Sequence, residues 1–389
     1  MDFALADEHA ALRKMLRSFF EEEAPTHVIA ELDAAQRFPV EIWRKMADLG
    51  LCGLTVDEKY GGSAADEISL CIVAEEMSRA GSSLAYAYIP TVTFCARAVQ
   101  QFGTDEQKNE ILPKIAAGDL QISLSLTEAQ VGSDLAGLAT TAVRDGDDYI
   151  VNGHKTFTTG ADTSDYLLTF VRTNTQIPAT KGMSVLLIPR TTPGLTIRPL
   201  RKIAGQAVHT CEIFLDDVRV SGNALLGELD HGASILFALL NGERIALGAH
   251  GVGIAQGALD LALKHACQRE QFGQPVADFQ AVGHMLADMA MDIEAARLLV
   301  YQAAWKKQNG LPHSMDASMA KVRGSEAGSR CAGRGMEIIG GGSYLVDFGM
   351  ERYYREAKLY EIAGGSNQIQ RNMILKYLRE PAKQKQGSR

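Results

Sequence analysis

The chain has 389 residues and a net charge of −8, with 46% hydrophobic and 22% charged residues. That size and balance suit two or three globular domains with large cores. They exclude a disordered chain, and the negative charge removes the attraction that drives non-specific nucleic-acid binding. No run approaches the roughly 20 apolar residues that a membrane span needs. The opening MDFALADEHAALRKM is acidic where a secretory signal is basic, so a cytoplasmic protein without membrane association is expected.

The residues to 119 read as helices. Leu12, Met15, Leu16 and Phe19 recur at helical spacing, with breaks at Tyr60-Gly61-Gly62-Ser63 and Phe102-Gly103-Thr104-Asp105. Asp105 has the carboxylate to cap the helix that follows. Residues 120–228 change character. Runs rich in β-branched and aromatic residues, such as Tyr166–Val171, Met183–Ile188 and Thr210–Val218, alternate with turn signals. The separators are Asp145-Gly146-Asp147, Asn152-Gly153 and Pro193-Gly194, which predicts an antiparallel sandwich or barrel.

From 229 to 389 the pattern is helical again. Phe279, Val282, Leu286, Met289, Ile293, Ala296 and Val300 form one apolar stripe, the mark of a long bundle helix. Glycines 248, 251, 253 and 257 would weaken a helix, so close approach between packed helices or subunits is expected of them. Pro381 to Arg389 read as a frayed tail. The cysteines at 52, 71, 95, 211, 267 and 331 show no CxxC pair and no finger-spaced His. Reduced, mostly buried thiols are expected, with no metal site. The order helices, β-domain, helices, without GxGxxG or GxxxxGK[ST], excludes the usual nucleotide folds.

Four segments carry chemistry, and together they resemble the acyl-CoA dehydrogenase family over essentially the whole chain. LSLTEAQVGSD, Leu124 to Asp134, is similar to the TEPGAGSD flavin loop, with Ala129-Gln130-Val131 in place of Pro-Gly-Ala. The resemblance assigns Leu124, Leu126 and Thr127 to the flavin, and Ser133 to the phosphates or the CoA. NGHKTFTTG, Asn152 to Gly160, is similar to NGxKxWITNG and lays Phe157, Thr158 and Thr159 along the flavin. REQFG at Arg269 with Phe279-Gln280 resembles a segment that reaches a neighbouring subunit's FAD. Arg269, Gln271, Phe272, Phe279 and Gln280 would serve there, Arg269 through a guanidinium fork suited to pyrophosphate. Finally IIGGG at Ile338 and IAGGSNQIQR at Ile362 carry glycines that let backbone approach a ligand. Glu337, Ile338, Gly340, Gly341, Ser366, Asn367 and Gln368 are the FAD contacts implied there.

Removal of a Cα proton while a hydride leaves Cβ requires a base, and flavin chemistry leaves that to the protein. Most family members place a Glu at the position of Gly364, which has no side chain. Isovaleryl-CoA and long-chain acyl-CoA dehydrogenases carry the base in a segment resembling xERxxxA, and here Asn241-Gly242-Glu243-Arg244-Ile245-Ala246-Leu247 stands in that register. Glu243 is the candidate base. Asn241, Arg244, Ala363, Gly364, Gly365, Ser133 and Phe94 are the candidate substrate contacts.

The resemblance implies an α+β multidomain fold: a helical N-terminal domain (1–119), a central β-barrel or sandwich (120–228) and a C-terminal four-helix bundle (229–389). It further implies FAD, an acyl-CoA substrate, an electron-transferring flavoprotein as electron acceptor, and a homotetramer built as a dimer of dimers. Crotonobetainyl-CoA reductase-like members share GGS and the ER pair, so enoyl-CoA reduction is the alternative direction. A flavin monooxygenase of the same fold and a non-catalytic acyl-CoA or flavin binder remain as other readings.

Overall fold

The computed structural model describes residues 4–386, with side chains to 379. The first helices are α1 (Asp7–Glu23), α2 (Thr26–Ala34), α3 (Val40–Asp48) and α4 (Glu67–Ala80). Next come α5 (Ser82–Tyr88), α6 (Ala96–Phe102) and α7 (Asp105–Ala116). Strands β1 (Ile122–Ser125), β2 (Thr141–Asp145), β3 (Asp148–Thr159) and β4 (Tyr166–Arg172) lead to the short α8 (Ala179–Gly182). Strands β5 (Met183–Pro189), β6 (Leu195–Leu200), β7 (Thr210–Ser221) and β8 (Leu225–Leu226) complete the sheet. The long helix α9 (Gly232–Gln268) precedes a small hairpin, β9 (Glu270–Gln271) with β10 (Gln274–Pro275). Helices α10 (Gln280–Gln308), α11 (Ser314–Ile339), α12 (Met350–Ile362) and α13 (Asn367–Gln386) follow.

By packing, the chain divides into two compact units. One is Met1–Glu31, Asp66–Ala85 and Asn241–Arg389; the other is Leu32–Ala65 and Tyr86–Leu240.

In the first unit, glycine sets how closely α9 is packed. A Cβ on Gly251 would lie 2.4 Å from the Gly324 carbonyl oxygen of α11, and one on Gly253 would lie 2.2 Å from that of Glu75 on α4. The helix glycines therefore serve helix-to-helix approach. On α10 the expected stripe is buried from Leu286 through Val300 and continues to Ala303 and Ala304. On α1 the buried face is His9, Leu16 and Phe20, while Met15 is exposed. Buried Glu75 accepts from Arg13 at 3.0 Å and from Arg297 at 2.9 Å, tying α1 and α10 to α4. An uncompensated carboxylate at that depth would cost several kcal/mol. Helix α9 is long and apolar enough to cross a bilayer, contrary to the run-length expectation. However, 78% of its apolar window is buried inside the protein, which marks a core helix. Helix α13 runs on through Pro381 to Gln386, where a frayed tail was expected; residues 387–389 lie outside the described residues.

In the second unit, one eight-stranded sheet runs β6-β7-β3-β2-β4-β5-β8, with β1 beside β4. It is not wholly antiparallel, because β1 pairs with β4 in parallel and β2 meets β4 in parallel at Thr141 and Arg172. Strand β4 is buried on both faces. Leu167 and Val171 join the core between β3, β5 and β7, while Leu168 and Phe170 face Val99, Ile111 and Ile115. This accounts for its nearly unbroken apolar run. The helix before β1 is capped by Thr104, not Asp105. The Thr104 side chain accepts from Gln107 N–H, and Gln107 reciprocates in a capping box. Asn152-Gly153 makes no turn. It is a bulge within β3, held to β7 by Asn152 Oδ1 accepting from Asp217 N–H at 2.8 Å. Cys267 is exposed and the other five cysteines are buried.

Candidate active site

Helix α9 carries Glu243 and Leu247 one turn apart, so both project from one face. That face meets the turn between α12 and α13. Ala363 ends α12 in extended backbone, and Gly364 and Gly365 follow at φ 64° and 83°. Two consecutive left-handed residues are accessible to glycine at little cost. A Cβ on Gly364 would lie 4.0 Å from the Glu243 carboxyl carbon and 2.2 Å from Leu247 Cδ1. Position 364 and the Glu243 carboxyl thus open onto the same point in space, and Leu247 fills what a side chain at 364 would occupy.

Glu243 is only partly exposed. Burial pushes its carboxyl up to about 7, and the positive charges of Arg244 and Lys321 pull the other way. A carboxyl at that value exchanges a proton near neutral pH in either direction. Arg244 is buried; one of its terminal nitrogens donates to Asn241 Oδ1 at 3.1 Å, and Asn241 Nδ2 donates to Ser314 Oγ at 2.9 Å. Burial lowers the Arg244 pKa while Glu243 and Tyr377 raise it, and its buried Nε has no hydrogen-bond partner among the described residues.

The glycine turn is held from below. Gln370 Nε2 donates to the carbonyls of Gly364 and Gly365 at 3.2 and 3.1 Å, and Ser318 Oγ donates to Gln370 Oε1 at 3.0 Å. Lys321 Nζ donates to Asn367 Oδ1 at 2.9 Å, and Asn367 Nδ2 donates to Ser325 Oγ at 3.0 Å. The Asn367 side chain, expected at the cofactor, is therefore turned inward and used by the protein. Ser366 stays half-buried and Gln368 exposed.

In the sheet unit, β1 ends at Ser125 and the chain continues through Leu126 and Thr127, both half-buried. Lys155, with no exposed surface, donates to the Leu126 carbonyl at 3.0 Å and to Glu128 Oε1 at 2.9 Å. Glu128 also accepts from the N–H groups of Ala139 and Thr140 at 2.8 and 2.9 Å. Burial alone would raise the Glu128 carboxyl, but Lys155 and Thr140 hold it below the usual range; burial brings Lys155 down to about 8. One ion pair thus pins the loop from 126 to 140. Beyond it, β3 bulges between Lys155 and Thr158. The bulge puts Phe157 at φ 56° with its ring 65% exposed, while Thr158 is buried and donates to Ser125 Oγ. Leu124 and Thr159 are half-buried and Ser133 is exposed. Phe94, expected at the substrate, is 0% exposed in the core of this unit, within a π-helical stretch from Ile89 to Cys95. It supports the core and offers no surface to a ligand.

The remaining expected contacts lie in the helical unit. Arg269, Gln271 and Gln280 are exposed, and Phe272 at the tip of the β9–β10 hairpin is 95% exposed, its ring edge-on to Phe279. Glu337, Gly340 and Gly341 are exposed at the end of α11, whereas Ile338 is buried. Sequence reasoning missed Glu128, Lys155, Leu247, Ser318, Lys321 and Gln370. The signal for Lys321 was a lysine set among Ala317, Ala320, Gly324 and Ser325, a face too small-sided to be solvated.

Three family models match the chain: the acyl-CoA dehydrogenase N-terminal domain over residues 6–119, the middle domain over 123–218 and the C-terminal domain over 230–378. The chain belongs to the acyl-CoA dehydrogenase family. It is 39% identical over 379 residues to the probable acyl-CoA dehydrogenase YngJ of Bacillus subtilis (strain 168), covering 97% of this chain and all of the relative. It is 35% identical over 371 residues to the caffeyl-CoA reductase-Etf complex subunit CarC of Acetobacterium woodii, covering 95% and 97%. Butyryl-CoA dehydrogenase from Megasphaera elsdenii superposes with a TM-score of 0.93 at 33% identity, over 97% of this chain and all of that one.

As an acyl-CoA dehydrogenase family member, the protein is an FAD-dependent oxidoreductase. Its own residues suit that cofactor. An aromatic ring held outward on strained backbone at Phe157, next to the half-buried Leu126 and Thr127, offers a planar apolar platform with polar groups at its edge.

Proposed function

We propose that the enzyme oxidises an acyl-CoA thioester at Cα–Cβ to the trans-2-enoyl-CoA, with Glu243 taking the α-proton. The observation that carries this reading is the meeting of Glu243 and Gly364. The one carboxylate of the segment faces the position from which most of the family supplies its base. Bound FAD supplies the two-electron acceptor for the β-hydride. The chain's own part is to hold a proton acceptor near pH 7, to present the Gly364 N–H toward the thioester carbonyl, and to orient the acyl chain. Leu126, Thr127, Phe157, Thr159, Ser366 and Gln368 would hold the cofactor, and Arg269 would reach the FAD of a second copy in a homotetramer. Asn241, Arg244, Ala363 and Ser133 are proposed for the thioester and CoA.

Reduction of an enoyl-CoA is the second reading, favoured by the similarity to the caffeyl-CoA reductase subunit. In that direction a protonated Glu243 gives its proton to Cα. The name of the same relative supports an electron-transferring flavoprotein as redox partner. A panel of acyl-CoA thioesters, scored by anaerobic bleaching of the bound flavin, tests the reading and selects the substrate. Rapid bleaching by one thioester is expected in the wild type, with a loss of about 10²–10⁴-fold in Glu243→Gln at unchanged FAD content. Wild-type bleaching in that variant would remove Glu243 from the reaction.

A further inference from the structure

Lys321 is a lysine with no exposed surface, on the face of α11 beneath the Gly364-Gly365 turn. Among the described residues its ammonium donates to a neutral amide, the Asn367 Oδ1 at 2.9 Å, and forms no ion pair with a carboxylate. A buried ammonium without an ion-pair partner is costly, and proteins seldom keep one that does nothing. Lys155, at similar depth in the sheet unit, has Glu128 at 2.9 Å. Lys321 has instead a field of more distant charges: Glu361 on α12, Glu243 and Arg244 on α9, and Glu326 on its own helix. The charges acting on Glu243 are Arg244 and Lys321. Ser318, Lys321 and Ser325 recur at helical spacing on α11 and engage Asn367 and Gln370 at the start of α13.

Resting on the reading of Glu243 as the base, we propose that Lys321 is a positioning residue for its proton transfer. Bonded through Asn367 to the start of α13, it fixes the glycine turn opposite Glu243 and supplies the buried positive charge against which Glu243 ionises. Its own pKa is brought down by burial to about 8, so most of it is still charged at the pH where Glu243 is half ionised, near 7.

The test uses the FAD-loaded protein, with Lys321→Met, Lys321→Arg and Asn367→Asp. Infrared difference titration of the Glu243 carboxyl, identified by its loss in Glu243→Gln, reads ionisation without substrate. The pH profile of thioester-driven bleaching reads the reaction. In Lys321→Met the midpoint should move up by about one unit, and bleaching below it should fall about tenfold while the high-pH plateau changes little. Lys321→Arg should restore the wild-type midpoint. Should Lys321→Met fail to fold, Asn367→Asp keeps the hydrogen bond and neutralises the charge, and it should raise the midpoint likewise. A folded, flavin-loaded Lys321→Met or Asn367→Asp whose Glu243 midpoint stays within about 0.2 unit of wild type would overturn the proposal. If Glu243→Gln bleaches normally the base assignment fails, and the infrared midpoint still decides whether Lys321 governs that carboxyl.

Discussion

The Cβ that Gly364 lacks would sit 4.0 Å from the carboxyl carbon of Glu243, but Leu247 Cδ1 stands only 2.2 Å from it. Moving the carboxylate from position 243 to position 364 is therefore not a matter of one substitution. Gly364→Glu in a Glu243→Gln background must displace Leu247 and hold a side chain at φ 64°, a strain of about 1–2 kcal/mol. No recovery of thioester-driven bleaching is expected from that double variant. Adding Leu247→Ala should recover at least about tenfold over Glu243→Gln, a small part of what a general base contributes. Recovery with Leu247 in place would show that the turn yields more easily than its contacts imply.

Glu243 can be probed without substrate. Its carboxyl stands at about 7 against an ordinary 4.5, because burial disfavours the charged form. The folded protein therefore binds more protons at this site than the unfolded chain does between those values. Stability falls as pH rises through that window, the reverse of a salt-bridged carboxylate. Glu243→Gln removes the effect. In urea denaturation its advantage over wild type should open above about pH 5 and level off above about pH 7, reaching on the order of 1–3 kcal/mol. A gap that does not change with pH would mean that Glu243 ionises freely in the folded state.

What the sequence disclosed and what it hid separate along physical lines. The α10 stripe and the α9 glycines were legible because helical periodicity and the absence of a Cβ are local properties. The pairing of Glu243 with Gly364 was legible only through family resemblance, since 121 positions of chain separate them. The parallel placement of β1 on β4 was not legible, because alternation is the same for either strand direction. Asn152-Gly153 carries a strong turn signal, yet β7 pairs on both sides of it and turns the signal into a bulge. Lysine is a surface residue by type, and the buried Lys155 and Lys321 find their partners, Glu128 and Asn367, far away in sequence. Phe94 looked like a pocket residue and is core, because the neighbours that enclose it lie far away in sequence.

The Lys155–Glu128 pair should matter more to the cofactor than to any substrate. Lys155 binds the Leu126 carbonyl and Glu128 together, so removing either partner leaves a buried charge uncompensated and frees the loop. Lys155→Met or Glu128→Gln should each cost about 3–5 kcal/mol in chemical denaturation. Removing both with Lys155→Met and Glu128→Leu should cost less than the sum, since no charge is stranded. FAD retention should weaken in the single variants. If both singles denature like wild type and keep their flavin, the pair does not hold the loop.

The last prediction concerns Arg269, which precedes the β9–β10 hairpin and is exposed together with Phe272 at its tip. A hairpin that presents an almost wholly exposed aromatic ring and a free guanidinium fork is poorly placed in solvent and well placed in an interface. The proposed occupant is a second copy of the chain, with Arg269 set against its FAD pyrophosphate. Arg269→Ala should then loosen cofactor and assembly together, at about 1.5–3 kcal/mol for a charge-assisted contact. That corresponds to roughly a ten- to hundredfold weaker hold on FAD. Arg269→Lys keeps the charge and loses the fork, so it should fall between wild type and Arg269→Ala. Equilibrium dialysis of FAD and light scattering on the same samples separate the two effects. If Arg269→Ala remains fully assembled and binds FAD as tightly as wild type, the arginine does not reach across to a neighbour's cofactor.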